Sequence, residues 1–230
     1  MPHRAVIAGL IGIALALFNL PALATTTHQC ADLPVQVISA PASLSPDTCL
    51  AAAAALRFLE RYQLRPKRQI LVEIVDEPLD AEGHPIYGSY DYHADRVKIM
   101  SMSAINQYIA VPTMYDEPFN EEQYRGVVAH ELTHAVVQHN TALDRVSNAA
   151  QEYLAHATQL GVLQPALRER IIAAAGVGPW KSNDVISEIY MAFAPNRFAV
   201  KCYLHLTQLS SVQPFIRLLL THKWHYLTAT

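Results

Sequence analysis

The sequence has little charge, and its charged residues form no long run of one sign. Only 16% of the 230 residues are charged, and the formal net charge is −3. A long basic stripe, which nucleic-acid-binding proteins use against phosphates, is absent, and so is the acidic tail of many disordered chains. Hydrophobic residues make up 51% of the chain, which is enough for one well-buried core. We therefore expect one folded domain that does not bind nucleic acid.

Long apolar runs are absent beyond the first two dozen residues. There, Arg4 precedes an apolar run from Ala5 to Phe18, and Ala22-Leu23-Ala24 follows. This order is typical of a secretory signal peptide, and the run falls short of the ~20 residues that a membrane-spanning helix needs. We expect a signal peptide over residues 1–24, cleaved after Ala24, and a secreted or periplasmic domain over residues 25–230 without stable membrane insertion. An uncleaved anchor is the alternative.

Cysteine is also scarce, with three residues in the chain. Disulfides persist in the compartments that a signal peptide leads to. Cys30 and Cys49 are close in sequence, so we expect a bridge between them. Cys202 lies in an apolar helical stretch, where a free cysteine is an ordinary core residue.

The order of predicted elements indicates an α+β fold, with a small N-terminal β-sheet first and a mostly helical part after it. In the first part we predict a helix from Ser45 to about Tyr62, a strand over Gln69–Val75 and a hairpin of Ile86–Tyr92 and Arg96–Ser101. A short helix over Ser103–Ile109 follows. The later helices are predicted from Asn120 to Asn140, Leu143 to Leu160, Pro165 to Ala175, Asn183 to Phe193, Arg197 to Leu209 and Pro214 to Leu220.

Two residues are expected to delimit these helices. Asn120 can act as an N-cap, with the Gln123 side chain reaching back to close a capping box. Gly161 is expected just after the C-terminus of the following helix, where its conformational freedom would be used.

The chain carries one pattern typical of metal chemistry, His130-Glu131-Leu132-Thr133-His134. Histidines four apart on a helix project from the same face, so His130 and His134 could bind one zinc ion. Glu131 would reach a water at the metal and act as its general base. The same spacing on an ordinary amphipathic helix would have no function.

The third ligand is less evident. Val137 and Asn140 stand where the H-E-x-x-H-x-x-G-x-x-H pattern requires glycine and histidine, which excludes that class. His139 is expected on a different helix face from His134. On the next helix, Glu152 follows His134 with seventeen residues between them.

With these residues, the segment from Asn120 to Leu160 resembles the gluzincin clan of zinc metallopeptidases. The resemblance implies a zincin-like fold, the zinc ligands His130, His134 and Glu152, and Glu131 as catalytic base. It also implies that the hairpin strand over Tyr87–Tyr92 borders a cleft and pairs with extended substrate.

The chain departs from that clan at His156, where members often have an acidic residue. His156 could itself be the third ligand, with Glu152 behind it, and Asp144 is a further candidate. Donors for the oxyanion of a peptidase reaction are not singled out by spacing. The candidates in the later helices are Tyr190, Arg197, Tyr203 and His205.

Together these patterns predict an exported, zinc-dependent peptidase that hydrolyses peptide or protein substrates by metal-activated water. The alternative is a non-catalytic zincin-like protein of the cell envelope that binds a metal or a partner. Hydrolysis of a non-peptide bond by the same groups is a third possibility. The sequence does not indicate an oligomeric state.

Overall fold

The computed structural model describes residues 25–40, 45–81, 83–182 and 186–221. The predicted signal peptide, residues 1–24, lies outside the described residues. The strands are β1 (Thr26–Gln29), β2 (Val35–Ser39), β3 (Ile70–Val75), β4 (Leu79–Ala81), β5 (His84–Ile86), β6 (Gly88–Asp91), β7 (Arg96–Met100), β8 (Thr113–Met114) and β9 (Glu117–Pro118). The helices are α1 (Ser45–Glu60), α2 (Met102–Tyr108), α3 (Glu121–Asn140), α4 (Asn148–Val162), α5 (Pro165–Ala175), α6 (Glu188–Phe193), α7 (Pro195–Gln208) and α8 (Val212–Thr221).

Five of the strands form a mixed sheet in the order β1-β2-β3-β7-β6. The three inner strands are parallel, and each outer strand pairs antiparallel with its neighbour. Val37, Val72 and Val97 lie side by side across the inner strands, and all three are fully buried. Alternation of buried and partly exposed residues along β2 and β3 directs one face of the sheet toward the helices.

The helices pack in layers on this sheet. α1 joins β2 to β3 and contacts α3, which also contacts β6 and β7. α4 packs against both α3 and α1, and α7 packs on α4. The predicted α+β class is confirmed, with the sheet first and a mostly helical part after it. The predicted hairpin is also confirmed, since β6 pairs with β7 and forms one edge of the sheet.

The start of α3 agrees only in part with the predicted capping box. Asn120 Oδ1 accepts a hydrogen bond from the backbone N–H of Gln123 at 3.0 Å, so the N-cap is confirmed. The Gln123 side chain does not reach back. Its Nε2 donates to the Met114 carbonyl oxygen at 3.2 Å, because β8 lies beside this turn of the helix.

The prediction for α4 was wrong at both ends. The helix begins at Asn148, later than Leu143, because the Ser147 hydroxyl caps it by accepting from the Ala150 N–H. Gly161 lies inside the helix and does not terminate it. A Cβ at Gly161 would lie 2.0 Å from Cε2 of Phe58 on α1, so glycine is needed here for close helix packing.

The three cysteines are arranged as the sequence predicts. Cys30 and Cys49 form a disulfide that joins the segment before β2 to α1. Cys202 is a buried free thiol on α7, and its sulfur accepts a hydrogen bond from Trp180 Nε1 at 3.5 Å. Among the described helices, none is long and apolar enough to cross a membrane.

Candidate metal centre

Helix α3 places the two histidines of the motif on one face, as their spacing predicts. The ring centroids of His130 and His134 are 4.8 Å apart, and their side chains are only 13% and 12% exposed. The rest of this helix is largely buried between the sheet, α1 and α4. The two imidazoles therefore have a fixed position at the wall of a cavity.

Glu152 on α4 completes a group of three metal-ligand side chains. Its carboxylate oxygens lie 3.3 Å from His130 Nε2 and 3.5 Å from His134 Nε2. One ligand atom from each of the three residues lies within 4.8 Å of the others, so the group could hold a metal ion. Two imidazole nitrogens and one carboxylate oxygen are donors of the kind that divalent metal ions take in proteins.

The charge of Glu152 fits this position. Burial alone would raise the pKa of Glu152, but the neighbouring His134 and His130 lower it well below the ordinary value. The carboxyl group is therefore ionised, which a metal ligand requires.

Two glutamine side chains on α4 hold the other nitrogens of the histidines. Gln151 Oε1 lies 3.1 Å from His134 Nδ1, and Gln159 Oε1 lies 3.0 Å from His130 Nδ1. A carbonyl oxygen can only accept, so each histidine donates from Nδ1–H, which directs Nε2 toward Glu152 and the cavity. Such outer partners set the tautomer and orientation of metal-binding histidines.

Tyr115 extends this hydrogen-bond network to His156. The Tyr115 hydroxyl donates to Gln159 Oε1 at 2.6 Å and lies 3.0 Å from His156 Nδ1. Since the single hydroxyl proton goes to Gln159, His156 Nδ1 donates to the tyrosine oxygen. Burial and the nearby His130 lower the pKa of His156 to about 3, so the ring is neutral and its Nε2 carries no proton.

His156 therefore differs from the other two histidines. Its Nε2 lies 3.5 Å from Glu152 Oε2, but His156 does not belong to the close group formed by His130, His134 and Glu152. An Nε2 without a proton can accept a hydrogen bond or bind a metal, but it cannot donate to an oxyanion.

Glu131 lies beside the histidines, with its side chain between α3 and the edge strand. The residue is 7% exposed, and burial raises the pKa of its carboxyl group to about 7. A Cβ at Gly88 on β6 would lie 2.7 Å from Glu131 Cγ and 3.1 Å from Glu131 Oε1. Glycine at this position allows the edge strand to approach Glu131 closely.

The group opens into a cavity of about 920 Å³. One wall is the hairpin from Tyr87 to Tyr92, and a second is the short β8–β9 hairpin that carries Tyr115. Tyr115 and Asp116 both have positive φ, which suits a two-residue hairpin loop. The Tyr87 hydroxyl ties the two hairpins together, donating to the Thr113 carbonyl at 2.8 Å and accepting from the Thr113 N–H at 3.1 Å.

The other residues considered in the sequence lie away from this cavity. The oxyanion candidates Tyr190, Arg197, Tyr203 and His205 do not line it, and neither does Asp144. His205 is instead hydrogen-bonded to the Tyr153 hydroxyl at 2.7 Å. His139 contacts the Asp95 carboxylate at 3.2 Å, on a different face of α3 as expected.

Sequence reasoning missed Gln151, Gln159 and Tyr115. The two glutamines are eight residues apart on the helix that carries Glu152, which is about two turns. A search for acceptors to the two histidine Nδ1 atoms could have found them. Tyr115 gave no such signal, because its hydrogen-bond partners His156 and Gln159 are distant in sequence.

No curated protein and no solved structure matches the chain. One family model does match, over residues 35–229, which extend from β2 through the last described helix. The chain therefore belongs to the family of unknown function DUF6639.

Proposed function

We propose that this protein is an exported zinc-dependent peptidase of the gluzincin type, with a zincin-like fold. The observation that carries the proposal is the convergence of His130, His134 and Glu152 beside the buried carboxyl group of Glu131 at the wall of a large cavity. His130, His134 and Glu152 would hold the zinc ion, and the fixed Nδ1–H tautomers support binding through Nε2.

A bound zinc ion supplies a Lewis acid that activates water and polarises the attacked carbonyl. Glu131 then acts as the base: one of its carboxylate oxygens takes a proton from the attacking water and later passes it to the leaving amine. Burial favours this role, because it raises the proton affinity of the carboxylate. The edge strand approaches the Glu131 side chain closely at Gly88, where a larger residue would displace it.

A peptide substrate suits the shape of the cavity. β6 is the outermost strand of the sheet, so the backbone groups on its outer side can pair with an extended chain. Its residues Gly88, Ser89 and Tyr90 line the cavity. The cavity volume of about 920 Å³ can accommodate several residues of such a chain.

Export of the protein is supported by the Cys30–Cys49 disulfide, which is typical of oxidising compartments. N-terminal sequencing of the protein recovered from its native compartment tests the predicted cleavage after Ala24. A mature N-terminus at Thr25 is the expected result, and an intact N-terminus at Met1 would contradict it.

Metal analysis tests the binding site. Purified protein should contain about one zinc ion per chain, and His134→Ala should lose it. His93→Ala is the matched control, because His93 lies in the exposed turn of the β6–β7 hairpin and should keep the zinc. Full zinc occupancy in both His130→Ala and His134→Ala would refute the site.

A second candidate function, a non-catalytic metal-binding protein, is favoured by the position of His156. Its unprotonated Nε2 near Glu152 could act as a fourth protein ligand and close the coordination position that catalysis needs. Zinc affinities of Glu152→Gln and His156→Ala separate the two. Loss of affinity in Glu152→Gln alone supports the open site, and comparable losses in both variants support the closed one.

A further inference from the structure

The cavity has one permanently charged cation on its described wall, Arg145. The other charged groups of that wall are the carboxylates of Glu131, Glu152 and Asp116. Asp116 accepts a hydrogen bond from Asn196 at 2.8 Å. No ion pair between described residues involves Arg145, so its charge is available to a bound molecule.

The Arg145 side chain is nevertheless held in place. Its Nη2 donates to Asn148 Oδ1 at 2.7 Å, and its Cζ lies 5.2 Å from the centroid of the Tyr92 ring. Asn148 begins α4, and Tyr92 follows the edge strand β6. The guanidinium therefore bridges two walls of the cavity. A cation fixed by an amide and an aromatic face loses less side-chain entropy when it binds a ligand than a free surface arginine does.

This charge is also near the proposed metal group. Asn148 precedes Glu152 by one helical turn, about 6 Å along the axis of α4. An extended chain advances by about 3.3 Å per residue. Because Arg145 contacts a residue one turn before Glu152 on the same cavity, a substrate bound along the cavity would place a group against Arg145 a few residues from the bond at the metal.

We propose that Arg145 is a specificity-determining residue that binds a carboxylate of the substrate close to the scissile bond. The inference rests on the proposed peptidase function and adds its substrate class, peptides with a carboxylate close to the scissile bond. Arginine binds carboxylates through paired N–H donors, and Asn148 occupies only one of the guanidinium nitrogens. The carboxylate can belong to an Asp or Glu side chain or to the free C-terminus of a peptide.

Matched peptides distinguish these sources and test the proposal. A set of hexapeptides carries Glu or Gln at each position in turn, with a free or an amidated C-terminus. With the zinc-loaded parent, the preferred acidic peptide should have a kcat/KM about 10- to 100-fold above its neutral match. Arg145→Gln should lower kcat/KM on the acidic peptide to about that on its neutral match and leave the zinc content unchanged.

Arg65→Gln is the matched control, because Arg65 is exposed, pairs with Glu60 and lies outside the cavity wall. It should retain the preference for the acidic peptide. An equal loss on acidic and neutral peptides in Arg145→Gln would overturn the proposal, since Arg145 would then act on the scissile carbonyl. An unchanged preference would overturn it as well.

A binding measurement keeps this test separate from the test of the peptidase function. Fluorescein-labelled peptides of the same set are titrated with zinc-loaded Glu131→Gln protein, with and without Arg145→Gln, and fluorescence anisotropy is recorded. Tighter binding of acidic peptides that requires Arg145 supports the carboxylate site even if the parent cleaves no peptide. Equal binding of acidic and neutral peptides refutes it.

Discussion

Replacement of Gly88 tests whether the edge strand positions the proposed base. An alanine Cβ at this site would lie 2.7 Å from Glu131 Cγ and 3.1 Å from the Lys98 carbonyl oxygen. Ordinary contacts begin at 3.4 Å, so the Glu131 side chain or the strand must move by about 0.7 Å (3.4 − 2.7). The Lys98 carbonyl belongs to the sheet backbone and yields less readily, which directs the movement to Glu131.

The expected result of Gly88→Ala is a selective loss of activity. A displacement approaching 1 Å at a catalytic group can lower the rate by on the order of a hundredfold. Overpacking should lower the free energy of unfolding by about 1–3 kcal/mol. Zinc affinity should remain close to that of the parent, because Glu131 is not one of the proposed ligands.

Three measurements on one preparation check this prediction: kcat/KM on a cleaved peptide, zinc affinity by competition with a chelator, and unfolding in urea. Gly178→Ala is the matched control, since a Cβ there would meet no atom within 4 Å. Activity of Gly88→Ala within twofold of the parent would refute the reasoning that this contact positions Glu131.

Further predictions concern packing, metal affinity and pH. Gly161→Ala should lower the free energy of unfolding by about 1–3 kcal/mol, and Phe58→Leu in the same chain should recover part of it, as urea unfolding would measure. Gln159→Leu should weaken zinc binding by about 10- to 100-fold, because His130 loses its acceptor; unchanged affinity would contradict that role. Burial lowers the pKa of His205, so the folded state binds fewer protons than the unfolded state and stability should fall as the pH drops through about 6.5. In His205→Gln the loss between pH 7.5 and 5.5 should be smaller, and an equal loss would contradict it.

Local patterns predicted most helices and the two histidines, because these depend on neighbours in sequence. The helix from Pro165 to Ala175 has the predicted bounds, and α3 ends at Asn140 as expected. β2 was missed, although its buried residues alternate with partly exposed ones. The alternating pattern covers only five residues, which is too short to identify a strand by itself. Pairing with β3, which is distant in sequence, stabilises β2.

The parts of the site that could not be predicted depend on contacts between distant residues. Glycine is typical of the residue after a helix end, which is why Gly161 was predicted there. In the structure Gly161 lies inside α4, because the Phe58 ring of α1 packs against it and leaves no room for a side chain. Tyr115 is 41 residues from His156 and 44 from Gln159, so only the folded chain brings their polar atoms together. The sequence showed that His156 stands where the resembling clan often has an acidic residue. The tautomer of His156, however, follows from the hydrogen bond that Tyr115 donates to Gln159, which only the folded chain forms.

The measurement that tests the proposed function most directly is peptide cleavage by zinc-loaded Glu131→Gln compared with the parent. Glutamine has nearly the size of glutamate but cannot take up the proton, so the variant should keep its zinc and its fold. Its rate should fall by on the order of a hundredfold or more, and a chelator should abolish the activity of the parent reversibly. Cleavage that persists unchanged in Glu131→Gln, or a zinc-loaded parent that cleaves no peptide of a broad library, would contradict the account.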